Sequence, residues 1–352
     1  MDATKKIIKL KHHMHDYECM WNGIEDLYIS KTNEVLPENL FFLLSAFGTM
    51  CYRKTPKSHL KRMIALGDGR TKQMYKFLST IVGFEYKHHS FDSFATMLEK
   101  AKKEIRLGNP VVLGALDMFY LPYYEKIYYK EHIPFHYILM VGYDDEANCI
   151  YLYDCGRIEL LALSYAELSN AMNCSYPELS KANTLCTIRM YSNKNKYQIA
   201  QEALAIKKEL FLNPPTNFLG YKGFERFIKE LPTLKTELGK VEYDKILLNM
   251  VTFLGAVPNV PNATKGISEP DMVPYKGSFD KMGAMLLTLG NEYGYTPWIS
   301  AASFFDEAGF IIEKIANIVI AYLIHSKDET RKLPELFFEV LTLMKQGYAT
   351  LV

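Results

Sequence analysis

The sequence has no surplus of charge: 41 Lys and Arg stand against 40 Asp and Glu. That balance removes the electrostatic case for a nucleic acid or an anionic membrane as partner. The longest apolar runs, such as IIEKIANIVIAYLI, are broken by charge and fall short of the ~20 residues that span a bilayer. The opening MDATKKIIKLKHHMHD has no apolar core, so no signal peptide is expected. Cys19, Cys51, Cys149, Cys155, Cys174 and Cys186 follow no regular spacing. The expectation is therefore a reduced, cytoplasmic protein without a disulfide framework. There is no repeat, no low-complexity tract, no CxxC and no HExxH. The HHMH run (His12 to His15) with Cys19 supplies only one side of a tetrahedral site, so no metal is expected. Cys174 and Cys186 carry no signature and read as inert.

What is present suits a packed core. Of 352 residues, 49% are apolar and 23% charged, enough chain for two domains. Residues 1–192 read as mixed α and β. A first helix is expected from about Tyr17 to Ser30, a second, more buried helix or turn over ENLFFLLSAFG, and two helical pieces around a GDG turn (residues 59–84). SFATMLEKAKKEIRLGN is a further helix, capped by Ser90 or Asp92 and stopped by Gly108-Asn109. NPVVLGALDMFYL, FHYILMVGYDD, CIYLYDC and NTLCTIRMY are short, β-branched and aromatic: strands. SNKNK (192–196) is a polar break, and 197–352 reads as an all-α domain. GAVPNVPNATKGISEPDMVPYK (255–276) is long enough to suggest a lid or binding loop. The fold class is α+β, with helices packed on an antiparallel sheet followed by a helical domain.

Three residues can carry chemistry together. With Asp16 as N-cap, Cys19 falls in the first turn of the first helix, where free N–H groups and the dipole favour a thiolate. Glu18 opposes this, so a base is needed. His136 opens one strand and Asp154 closes the next. With Gly142 opposite Asn148 the two face each other, and with Tyr143 opposite Cys149 they are diagonal; both registers leave them ~5–8 Å apart on one face. A slip of one residue would separate them. A carboxylate fixes the tautomer of a neighbouring histidine and stabilises its imidazolium. His132 is the second-choice base.

Cysteine on an early helix with histidine and aspartate on a later sheet is the order of papain-like enzymes. The run from His15 through LPENLFFLLSAFGTMCY, NPVVLGALDMFYLPYY and HIPFHYILMVGYDDEANCIYLYDC resembles the butirosin-biosynthesis protein H-like N-terminal domain, over about residues 11–190. The helical remainder is similar to the C-terminal domain often fused to it. The resemblance leads one to expect histidine immediately before Cys19; Glu18 stands there, and His15 is the nearest upstream.

The resemblance implies a papain-like acyltransferase of secondary-metabolite biosynthesis, the founding member moving an aminoacyl group from an acyl carrier protein to an aminoglycoside amine. Carried over, Cys19 is the nucleophile, His136 the base and Asp154 its orienter. No resident cofactor is implied; the acyl donor carries phosphopantetheine on a carrier protein, and the acceptor is a small-molecule amine. The Cys19 N–H is one oxyanion donor, with His13 or His15 for the second. Asp117 and Tyr120, in the Tyr-rich segment 117–135, are candidate contacts to acceptor or pantetheine, and His15 a third. Two other readings stay open: a cysteine hydrolase on the same fold, and a non-catalytic binding protein. The helical part has three candidate roles: closing the groove, binding the carrier, or forming a homodimer.

Overall fold

The computed structural model describes residues 4–13, 19, 23–45, 50–57, 61–65, 76–175, 180–253 and 278–351. The chain divides into two compact units. One takes residues 1–36 and 82–195; the other takes 37–81 and most of the chain from Lys196 on. The break at Asn195 falls within SNKNK. Residues 37–81, read above as part of the first domain, group with the helices instead. There, Tyr52 donates to Glu230 at 2.7 Å and Cys51 bridges Leu219.

The first unit is α+β. In chain order it has β1 (Lys5–Ile7), α1 (Ile24–Thr32), β2 (Phe84–Ser90), α2 (Phe94–Arg106), β3 (Val111–Leu116), β4 (His136–Asp144), β5 (Cys149–Asp154), β6 (Arg157–Ser164), α3 (Tyr165–Met172) and β7 (Thr184–Met190). These seven strands form one antiparallel sheet in the order β2-β7-β3-β4-β5-β6. β1 pairs with β4, Ile7 opposite Gly142, beyond the stretch that β3 covers. That close approach requires glycine: a Cβ at Gly142 would lie 2.6 Å from the Lys6 carbonyl. β3 and β4 are buried throughout, which is why they read as unbroken apolar runs.

α2 shows the local logic. Ser93, rather than Ser90 or Asp92, is its cap, because the Ser93 hydroxyl accepts from the Thr96 N–H. Met97, Leu98, Ala101 and Ile105 make the stripe that packs on the sheet. Gly108, at φ 85°, ends the helix as expected. The first helix differs from its sequence reading: α1 begins at Ile24, because Gly23 at φ 86° breaks the chain there. A Cβ at Gly23 would sit 2.5 Å from Leu139, so only glycine fits.

In the second unit the stretch read as all-α forms the helices Lys196–Leu212, Gly220–Leu238, Lys240–Phe253, Ser278–Tyr293, Thr296–His325 and Leu333–Thr350. The short helix Leu40–Ser45 joins them. Arg62–Ala65, placed in a helix above, is instead a strand paired with Cys51–Lys54. By length and composition, Thr296–His325 could cross a membrane. It also buries Trp298, Phe305, Ile312, Ile315 and Val319, as the central helix of a bundle does. The GDG turn and the loop 255–276 lie outside the described residues.

Candidate active site

The site forms where β3, β4 and β5 end. Leu116 pairs with His136, and the segment 117–135 loops out between them. Asp117 staples this loop. Its Oδ1 accepts from the Phe119 and Ile133 N–H groups at 3.1 and 2.9 Å, and its Oδ2 holds His132 Nδ1 at 2.7 Å. Buried with both oxygens engaged, Asp117 organises the loop. His132 is largely exposed and stacks on Phe119 at 4.0 Å, so its carboxylate partner is Asp117 rather than Asp154. Tyr120 packs edge-on against Phe119 and Tyr129.

His136 and Asp154 come together by a route the sequence does not reveal. Near the turn the register is the odd one, Asp144 opposite Cys149, which would set the two residues on opposite faces. A β-bulge between Met140 and Gly142 inserts one residue, and from Met140 opposite Leu152 the register is even. His136 thus reaches Asp154 diagonally, with Nε2 2.9 Å from both carboxylate oxygens. Asp154 is fully buried and is held by three donors: His136, the Tyr124 hydroxyl at 3.0 Å and the Cys155 N–H at 2.7 Å. The Tyr124 oxygen also lies 3.2 Å from His136 Nε2. Behind it, the Arg157 guanidinium covers the Tyr123 and Tyr124 rings at 5.6 Å.

Burial disfavours a charged His136, but the Asp154 carboxylate, and after it Cys19, outweigh burial and raise the imidazole to about 10. Burial likewise opposes charge on Asp154; the His136 imidazolium and the hydrogen bonds from His136 and Tyr124 hold its carboxyl below the usual range. His136 is therefore an imidazolium at neutral pH, paired with a carboxylate. With Nε2 facing Asp154, Nδ1 is the nitrogen left for proton exchange with a thiol.

Cys19 lies ahead of α1, not in its first turn, so the dipole of that helix does not act on it as expected. Its Sγ is 4.0 Å from the Phe135 carbonyl oxygen, and Cys19 lies close enough to His136 to help raise the imidazole. Asp16, Glu18 and His15 lie outside the described residues. His13 is not available as an oxyanion donor: its Nδ1 is 2.9 Å from Asp26 and its Nε2 2.7 Å from Glu25.

Cys155, Tyr124 and Arg157 are the neighbours that sequence reasoning missed. Their signals were adjacency to Asp154 and the end of the DMFYLPYY run. Burial, then the Asp154 charge, pushes the Cys155 thiol far up, so it stays protonated. His136, Asp154 and Cys155 offer the one described set of three metal-type donors, all within 4.8 Å of one another. The hydrogen bond between His136 and Asp154 already satisfies two of them as an acid–base pair. Among the other thiols, burial pushes Cys174 up to about 11 and Cys186 to about 12, which suits an inert role.

Residues 18–155 match the family model for butirosin biosynthesis protein H, N-terminal. The chain carries this domain. The butirosin protein H N-terminal match begins one residue before Cys19 and ends one after Asp154, so it contains the whole constellation. No curated protein matches the chain.

Proposed function

We propose that this protein is a cysteine-dependent acyltransferase of secondary-metabolite biosynthesis, acting in the cytoplasm. It moves an acyl group from a carrier-protein phosphopantetheine thioester through Cys19 to a small-molecule amine. The observation that carries the reading is a buried imidazolium, His136, bonded to Asp154 and raised by Cys19 beside it. The antiparallel sheet backed by helices suits a papain-like fold, and the family description supplies the biosynthetic setting.

The residues act in two half-reactions. Cys19 Sγ attacks the thioester carbonyl; a carbon–sulfur bond forms to Cys19, the bond to pantetheine breaks, and His136 protonates the departing thiolate. The amine then attacks the acyl-enzyme, His136 takes its proton, and Cys19 leaves as thiolate. The Cys19 N–H serves as one oxyanion donor. Asp154 keeps the imidazole in one orientation through both halves, and Tyr124 holds Asp154.

The test is mass spectrometry of the protein with an acyl-carrier thioester, with and without amines. The reading requires an acyl adduct on the Cys19 peptide that amines discharge as amide. Discharge to free acid regardless of amine points to a hydrolase. Absence of the adduct, with Cys19 alkylated by iodoacetamide no faster than the other five thiols, leaves a binding protein.

A further inference from the structure

The histidines next to the Cys19 segment have a role that the proposed reaction does not use. His12 is buried, and its ring stacks on Tyr153 at 4.4 Å. Its Nδ1 is 2.6 Å from Asp26 Oδ2. Its Nε2–H donates to the Arg157 carbonyl at 2.9 Å and reaches the Asp154 carbonyl at 3.3 Å. His13 bonds to Asp26 Oδ1 and to Glu25. Asp26 is fully buried. Burial opposes its charge, yet hydrogen bonds from His12 and His13 hold it down to about 2. His13 is raised to about 9: burial works against it, and Asp26 and Glu25 prevail.

Glu25 and Asp26 sit in the first turn of α1, and Cys19 lies between them and His13. His13 and the Glu25–Asp26 turn, which flank Cys19 in the sequence, are thus bonded to each other. The same tie is fastened, through His12 Nε2, to the two carbonyls that flank the β5–β6 turn, one of them belonging to Asp154 itself. Removing one partner of such a buried pair is costly, because the other is left buried without its bond. We infer that the His12–Asp26 pair is a positioning unit that sets the Cys19 segment against the strand carrying Asp154. This deepens the acyl-enzyme reading and rests on it. It assigns His12 and Asp26 to holding the thiol within reach of His136, not to contact with substrate.

The experiment measures the iodoacetamide rate at Cys19 against pH, by peptide mass, in the full chain. Wild type is compared with Asp26→Asn, His12→Gln and the surface control Glu99→Gln. Asp26→Asn and His12→Gln should each slow Cys19 at least tenfold at pH 7 and displace its pH profile, while Glu99→Gln behaves as wild type. A role in stability alone would lower the melting temperature and leave the profile of the folded protein in place. His12→Gln keeps a donor at that position and serves where Asp26→Asn does not fold. Wild-type rates and profile in either folded variant overturn the inference. Wild-type Cys19 no faster than the other thiols overturns the acyl-enzyme reading and the inference with it.

Discussion

Asp154→Asn is the sharpest perturbation of the site, because it keeps the shape and removes the charge. At a pKa of about 10 the His136 ring is about 99% imidazolium at pH 8. Without the carboxylate the main force that raises it is gone, burial still pushes it down and Cys19 alone opposes burial, so its titration should fall well below about 10 and its charged fraction at pH 8 should drop. The replacement also disturbs hydrogen bonding. Three donors converge on Asp154, and an amide offers one acceptor oxygen, so at least one buried donor loses its partner, at about 1–3 kcal/mol. The sign with pH follows from the raised imidazole. Its stabilising contribution is complete below pH 6.5 and is lost as pH rises through about 10. The stability gap between wild type and Asp154→Asn should therefore be widest near pH 6 and shrink toward pH 10. Imidazole nitrogen shifts of His136, assigned by comparison with His136→Gln, report the charge; denaturant melts across pH report the gap. Wild-type His136 titrating near 6.5, or a gap that does not change between pH 6 and 10, would refute the electrostatic account.

Other consequences are as direct. His136→Ala should abolish selective alkylation of Cys19 below pH 8, leaving it no faster than the other five thiols by peptide mapping. Gly142→Ala should cost about 1–3 kcal/mol, since the new Cβ meets the Lys6 carbonyl at 2.6 Å. Hydrogen exchange at the Ile8 amide, which donates to Val141, should quicken. Lys207 is fully buried and donates to the Leu43 carbonyl, and burial lowers its amine well below the ordinary lysine value. Lys207→Met removes that burial cost, so its effect on stability should be more favourable at pH 6 than at pH 9; an equal effect at both would contradict this.

What could be read in the sequence follows burial. β3 and β4 are covered on both faces and announced themselves as apolar runs. β2 and β6 are edge strands with largely exposed side chains, and FEYKHHS and RIELLALS carry too little alternation to stand out. His136 and Asp154 could be paired from their places at two strand ends. The bulge that makes the pairing work left no mark beyond Gly142, because the backbone, not side-chain chemistry, absorbs the extra residue. The Cys19 argument misjudged its helix: the apolar spacing in the sequence runs on through Gly23, whereas α1 begins only at Ile24, after Gly23 at φ 86°. The clamp of His12 and His13 on Glu25 and Asp26 was invisible because periodicity says nothing about where a loop closes.

The two halves of the site also differ in what assembles them. His136 and Asp154 are 18 residues apart on one hairpin. Cys19 meets Phe135 across 116 residues, and His12 meets Arg157 across 145. The base pair needs only the hairpin, whereas bringing Cys19 to it needs contacts between residues far apart in the chain. Contacts between distant residues bear the larger closure entropy, so the part of the site that depends on them should open before the hairpin. In urea well below the global transition, fast alkylation of Cys19 should therefore disappear while the His136 imidazolium shift persists. If both change together with the global melt, the N-terminal segment is part of one cooperative unit with the hairpin, and the division of the site into an early base and a late nucleophile is wrong.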